Sequence, residues 1–197
     1  MQAKMWLATA MLACCSGVGV AQMAMSGGAE MPMGSMTDPA KAEDVMLTAF
    51  EGELTGVVKA MPADKFNFAP SATAFAPGQP TKFEGVRTFS QQVAHLIQAN
   101  YYFYGQVSGT KPGLDMKAIG TLKTKDELVS ALAASFVFAH QCVATITPAN
   151  AFVTIEGADG MKTRATVASF AVAHGFDHYG QMIEYLRMNG VVPPGSK

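Results

Sequence analysis

Charge is the first thing this sequence lacks. Lysine and arginine together number 14 against 15 aspartates and glutamates, only 15% of residues, for a net charge of −1. A protein that neutralises nucleic-acid phosphates needs a basic face, and no such footprint is present. DNA and RNA are therefore not expected partners. Cysteine is scarce too: of the three, Cys14 and Cys15 sit at the extreme N terminus and only Cys142 lies in the body. That excludes a disulfide framework, and on a helix with apolar neighbours Cys142 reads as a small buried hydrophobe. Beyond Val20 no apolar run approaches the roughly 20 residues that a membrane-crossing helix needs, so no transmembrane anchor is expected in the mature chain.

The first residues read as a targeting segment. Lys4 supplies a short positive region and an apolar run continues to about Val20, with small residues at Gly19 and Ala21 that suit cleavage after Ala21. A signal peptide over 1–21 and an exported protein, periplasmic or extracellular, are expected. An alternative uses Met11-Leu12-Ala13-Cys14 as a lipoprotein box, with the chain anchored at Cys14. The following stretch, 22–37, holds Met23, Met25, Met31, Met33 and Met36 among glycine and serine without apolar periodicity, and reads as a flexible leader. Closely spaced thioethers also suit Cu(I), which leaves a copper role for the leader open.

From 38 to 194 one globular domain is expected. Asp38 followed by Pro39 is a helix start, because aspartate caps free backbone N–H groups and proline fits the first helical position. Leu47, Phe50, Leu54 and Val57 then recur at helical spacing until Met61-Pro62. Pro70, Pro77 and Pro80 make 63–86 a long loop. A second helix is expected from Thr88–Ser90 to about Tyr104, with Phe89, Val93, Leu96, Ile97, Asn100 and Tyr104 on its core stripe. Thr124-Lys125-Asp126-Glu127 is a capping box that opens a third helix running to about Thr145. Phe152 to Ile155 reads as a brief strand or extended segment. A last helix is expected from about Thr163, with Val167, Phe170, Ala171, His174, His178, Met182 and Tyr185 on one face and Gly190 and Pro193-Pro194 as the stop. Four long helices joined by long loops predict an all-α four-helix bundle.

Only four histidines exist, and two of them carry the chemistry. In His174-Gly175-Phe176-Asp177-His178 the imidazoles stand one turn apart on the face that points inward. Burying two protonatable rings is unfavourable unless each finds a partner, and a metal ion is a partner they can share. Two imidazoles do not complete a site. His95, beside Gln92, Ala99 and Tyr102 at the edge of the second helix's apolar stripe, is positioned to be the third ligand. His140 shares a face with Phe136 and reads as a hydrogen-bonded core histidine. Tyr102, Tyr179 and Asp177 are candidate neighbours of the ion.

The stretch from His174 through His178-Tyr179-Gly180-Gln181 and Leu186-Arg187 to Gly190 and Pro193-Pro194 resembles the closing helix of the DinB-like (YfiT-like) metalloenzyme superfamily. Arg87-Thr88-Phe89 leading into Val93-Ala94-His95-Leu96-Ile97 is similar to that family's helix bearing its first histidine, and Phe66-Asn67-Phe68-Ala69-Pro70 to the loop before it. The resemblance implies an up-down-down-up four-helix bundle, in many relatives a homodimer, that binds zinc, nickel or iron through His95, His174 and His178. It implies a thiol-dependent transferase or a related hydrolase, acting on a small thiol or another small-molecule substrate, or else a metal-binding or stress-response module without catalysis. Gln181 and Arg187 are typical of the family, and helix packing and capping explain them as readily.

Overall fold

The structure is a computed structural model, and it describes residues 32–74 and 76–196. The expected signal peptide, Cys14, Cys15 and most of the methionine-rich leader lie outside the described residues. From Met36 onward the chain forms one compact unit.

Helix α1, Pro39–Ala60, begins as its sequence dictates: the Asp38 carboxylate accepts hydrogen bonds from the N–H groups of Ala40 and Lys41. It buries Leu47, Phe50, Leu54, Val57 and Val58 and ends where Met61 turns extended before Pro62. Helix α2, Phe89–Ser108, opens on a Thr88–Gln91 capping box and closes on Gly109, whose φ of 77° is the left-handed conformation that glycine adopts without a side-chain clash. A single short helix, α3, Met116–Ile119, interrupts the next connection. Helix α4, Lys125–Val143, carries the expected Thr124–Glu127 capping box, and α5, Arg164–Met188, starts from Thr163. Lys125 at the head of α4 donates to the carbonyls of Lys59 (2.7 Å) and Met61 (2.8 Å), satisfying the free end of α1 and tying the two helices together.

The four long helices share one core. Helix α1 packs on α4 and α5, and α2 packs on the same two. Phe50, Leu54, Phe89, Leu96, Ile97, Tyr104, Leu128 and Phe136 are among its fully buried side chains. A polar link crosses it: Asn100 donates to Ser135, which in turn donates to the Leu132 carbonyl, so both buried groups are satisfied. The loop before α2 is pinned by the amides of Phe89 and Ser90, which donate to the carbonyls of Phe68 and Phe66.

Two expectations need correction. Helix α2 runs to Ser108 rather than Tyr104, because Gly105 is accommodated within the helix and Val107 beyond it adds another buried side chain. The protein is mostly helical, with one small two-stranded sheet among the described residues: β1, Thr154–Ala158, pairs antiparallel with β2, Met161–Thr163. The two strands are joined by Asp159 and Gly160 with φ of 46° and 85°, the two-residue turn with positive φ at both positions whose twist matches a hairpin. The strand expected at Phe152 to Ile155 starts two residues later, Phe152 and Val153 being exposed. Among the described residues no helix is long and apolar enough to cross a membrane.

Candidate metal centre

Helices α2 and α5 pack so that His95 meets His174 and His178. The ring centroids of His95 lie 5.3 Å from His174 and 4.6 Å from His178, and those of His174 and His178 lie 4.7 Å apart. One nitrogen from each ring falls within 4.8 Å of the others. Nε2 of His95 and Nε2 of His174 lie 3.2 Å apart, so that one N–H can donate to the other. That separation also fits a shared ion: two ligands at about 2.0–2.1 Å from a tetrahedral metal stand about 3.3 Å apart. His178 is buried and its Nδ1 has no hydrogen-bond partner among the described residues, whereas His95 and His174 are half-buried. The three histidines are positioned to bind a metal ion.

Electrostatics keep the rings in the form that ligates. Burial, together with the positive charge of Arg87 and the two neighbouring imidazoles, lowers the pKa of His95 to about 4. Burial likewise lowers His174 and His178; Asp177 opposes the shift at both and Asp159, from the hairpin turn, opposes it at His174. All three are therefore neutral at neutral pH, with lone pairs free for an ion.

The surroundings show why the segment folds this way. Gly175, between the two α5 histidines, faces Phe50 of α1 so closely that a Cβ there would come within 2.1 Å of the Phe50 ring. Only glycine lets α5 approach α1 at this level. Between α2 and α5, Gln92 donates to Gln181 (2.9 Å), and Gln181 donates to Asp177 (3.2 Å). This chain of amides brackets the histidines one turn away on either helix, a role that neither composition nor spacing revealed. Tyr185 donates to the backbone carbonyl of Arg87 (3.1 Å), which holds the entry to α2 against α5.

The other candidates are placed elsewhere. His140 is hydrogen-bonded, as expected, but to two carboxylates: Nδ1 to Asp44 at 2.6 Å and Nε2 to Glu51 at 3.0 Å. Tyr179 donates to Glu53 (2.7 Å); burial and that carboxylate raise its pKa to about 12. Tyr102 is exposed, its ring tilted against that of Phe103. Arg187 pairs with Glu184 on the surface of α5. Cys142 is buried, which raises its pKa, and it accepts a hydrogen bond from Ser108.

In this helical core three histidines converge on a place that could hold a metal ion. The chain belongs to the DinB superfamily, whose family model matches residues 46–182, a span that includes all three histidines. No curated protein matches the sequence.

Proposed function

We propose that this protein is an exported member of the DinB superfamily that binds one divalent transition metal ion, zinc, nickel or iron, through His95, His174 and His178, and that the ion serves catalysis. The observation that carries the reading is the convergence of three neutral imidazoles within 4.8 Å. The mostly helical fold is consistent with the family's, and the family's members often bind divalent metals. Three protein ligands leave at least one coordination position open, the arrangement of a catalytic rather than a closed structural site. Once bound, such an ion lowers the pKa of a coordinated thiol or water and so supplies a nucleophile for a transferase or hydrolase reaction.

What the chain's own residues contribute can be stated separately. His95 and His174, half-buried, face the solvent side of the site, while His178 anchors it from within. A cleft of about 530 Å³ borders His95 and is lined also by Gln91, Ala94 and Gln98, within the usual size of a small-molecule site. That cleft favours an enzyme over a purely structural metal module.

The test is metal analysis of tag-free protein. About one ion per chain is expected, with near-complete loss in His95→Ala, His174→Ala and His178→Ala, since each removes a direct ligand. The catalytic half of the reading is tested by turnover on a panel of activated esters, amides and thiol acceptors. A loaded protein that chelator strongly destabilises but that turns over nothing would be a structural metal module instead. Export is tested by N-terminal sequencing of the protein from its native source, with Gln22 expected as the first residue.

A further inference from the structure

The cleft beside His95 has an unusual charge. Among its lining residues Arg87 is the sole ionisable group apart from His95 itself; Gln91, Ala94, Gln98 and Gly120 are uncharged. No carboxylate borders it. The Arg87 guanidinium makes no ion pair among the described residues, yet its charge is felt by all three histidines of the site. Its backbone is not loose, because its carbonyl accepts the Tyr185 hydroxyl of α5. Gln98 is likewise held, donating to the Met116 carbonyl at 2.9 Å, and Gln91 uses its side-chain oxygen to accept from the Thr88 N–H, which leaves its amide N–H groups as donors.

The Arg87 guanidinium, with no ion pair among the described residues, the side-chain amides of Gln91 and Gln98 and the neutral His95 ring give the cleft a lining of one sign. A divalent ion held by three uncharged ligands would add two further positive charges; no residue lining the cleft carries a negative one, and the carboxylates that act on the histidines, Asp177 and Asp159, are not part of its lining. Such a cavity concentrates anions, and the planar guanidinium is shaped for a carboxylate.

On this basis, and resting on the metal-site reading above, we infer that the substrate is a small anionic molecule, a carboxylate in chemical class, whose charged group is held by Arg87 while its reactive end points to the three histidines. Arg87 thus selects substrate by charge, and Gln91 and Gln98 complete the wall along which it lies.

The experiment uses the full mature chain loaded with cobalt(II), whose visible absorption reports ligand entry at the ion. Succinate and butyrate are compared as probes: both offer one carboxylate to the metal, and only succinate offers a second to Arg87. Succinate is expected to bind about 10-fold more tightly, a difference of about 1.4 kcal/mol. The advantage is expected to shrink with added salt, to vanish in Arg87→Gln and to persist in part in Arg87→Lys. Arg87→Gln is expected to take up about one cobalt ion per chain, as the parent does, which shows that the variant has folded and that the three ligands are in place. If cobalt binds but succinate has no advantage, or keeps all of it in Arg87→Gln, the inference is overturned while the metal site stands. If cobalt does not bind at all, the metal-site reading itself fails and takes this one with it.

Discussion

Two histidine clusters sit in one helical core and are built on opposite principles. Between α2 and α5, three imidazoles face one another, none hydrogen-bonded to a carboxylate among the described residues, and burial drives them neutral. Between α1 and α4, one imidazole lies between two carboxylates, Asp44 and Glu51. There burial pulls the pKa of His140 down, but the hydrogen bonds to both carboxylates outweigh it and raise the value. Bonding both ring nitrogens to carboxylates needs both N–H groups, so the charged form is the one that fits. The comparison separates a site that offers lone pairs from a clamp that offers protons. Only the first can hold a metal in this way, although His140 belongs to the same residue type and is similarly half-buried.

The largest effect is expected where the first cluster depends on backbone approach. Gly175→Ala would drive a Cβ into the buried Phe50 ring and is expected to cost about 3 kcal/mol or more, because overpacking of a dense core forces side chains and backbone to shift. Denaturant unfolding measures the loss, and metal affinity should fall with it, since His174 and His178 flank the site of the clash. An unchanged midpoint would show that α5 is not held against α1 as described.

Next in size is stabilisation by the ion. Zinc at about 100 times its dissociation constant is expected to stabilise the folded protein by about 2.7 kcal/mol. The gain should disappear in His178→Ala and remain in His140→Gln. Loss in His140→Gln as well would erase the distinction between the two clusters.

The amide chain should matter less. Gln181→Leu removes the acceptor of Gln92 and the donor to Asp177, and metal affinity is expected to fall about 10-fold, as when groups behind a ligand are lost. Isothermal titration of the variant with zinc checks this.

The smallest effect is on pH dependence, and its sign differs between the clusters. The neutral cluster has lowered pKa values, so its contribution to the metal-free protein is complete above the ordinary histidine value of 6.5 and is lost as pH falls towards about 4. His140 has a raised pKa, so its contribution is complete below 6.5 and is lost as pH rises through the raised value. Because its partners are partly exposed, that contribution is expected to be at most about 1 kcal/mol. Unfolding of the parent and His140→Gln at pH 6 and pH 8 should show a difference at the lower pH that narrows at the higher one. A difference independent of pH would mean that His140 acts by packing alone.

Much of this was legible locally. The caps at Asp38, Thr88 and Thr124 are short-range hydrogen-bond patterns, and each marks a helix start in the structure. The spacing of His174 and His178 implies a shared face because helical geometry does. The hairpin was readable in principle from Asp159-Gly160, a strong turn signal, but its strands are short and the second one, Met161–Thr163, has no apolar alternation to announce it. Less accessible were Gln92 with Gln181, Gly175 with Phe50, and the exposure of Arg87 on a cleft. Each is a relation between residues distant in the chain, and a glutamine or a mid-helix glycine carries no sign of its partner.

The sequence by itself determined where the long helices begin, which faces are apolar and that two imidazoles share one turn, because those properties arise from interactions a few residues long. The tertiary structure alone decided that His95 joins them and His140 does not, and that Arg87 meets a cleft free of carboxylates. Such outcomes depend on how helices rotate and approach as they pack, and that is set by the whole core at once.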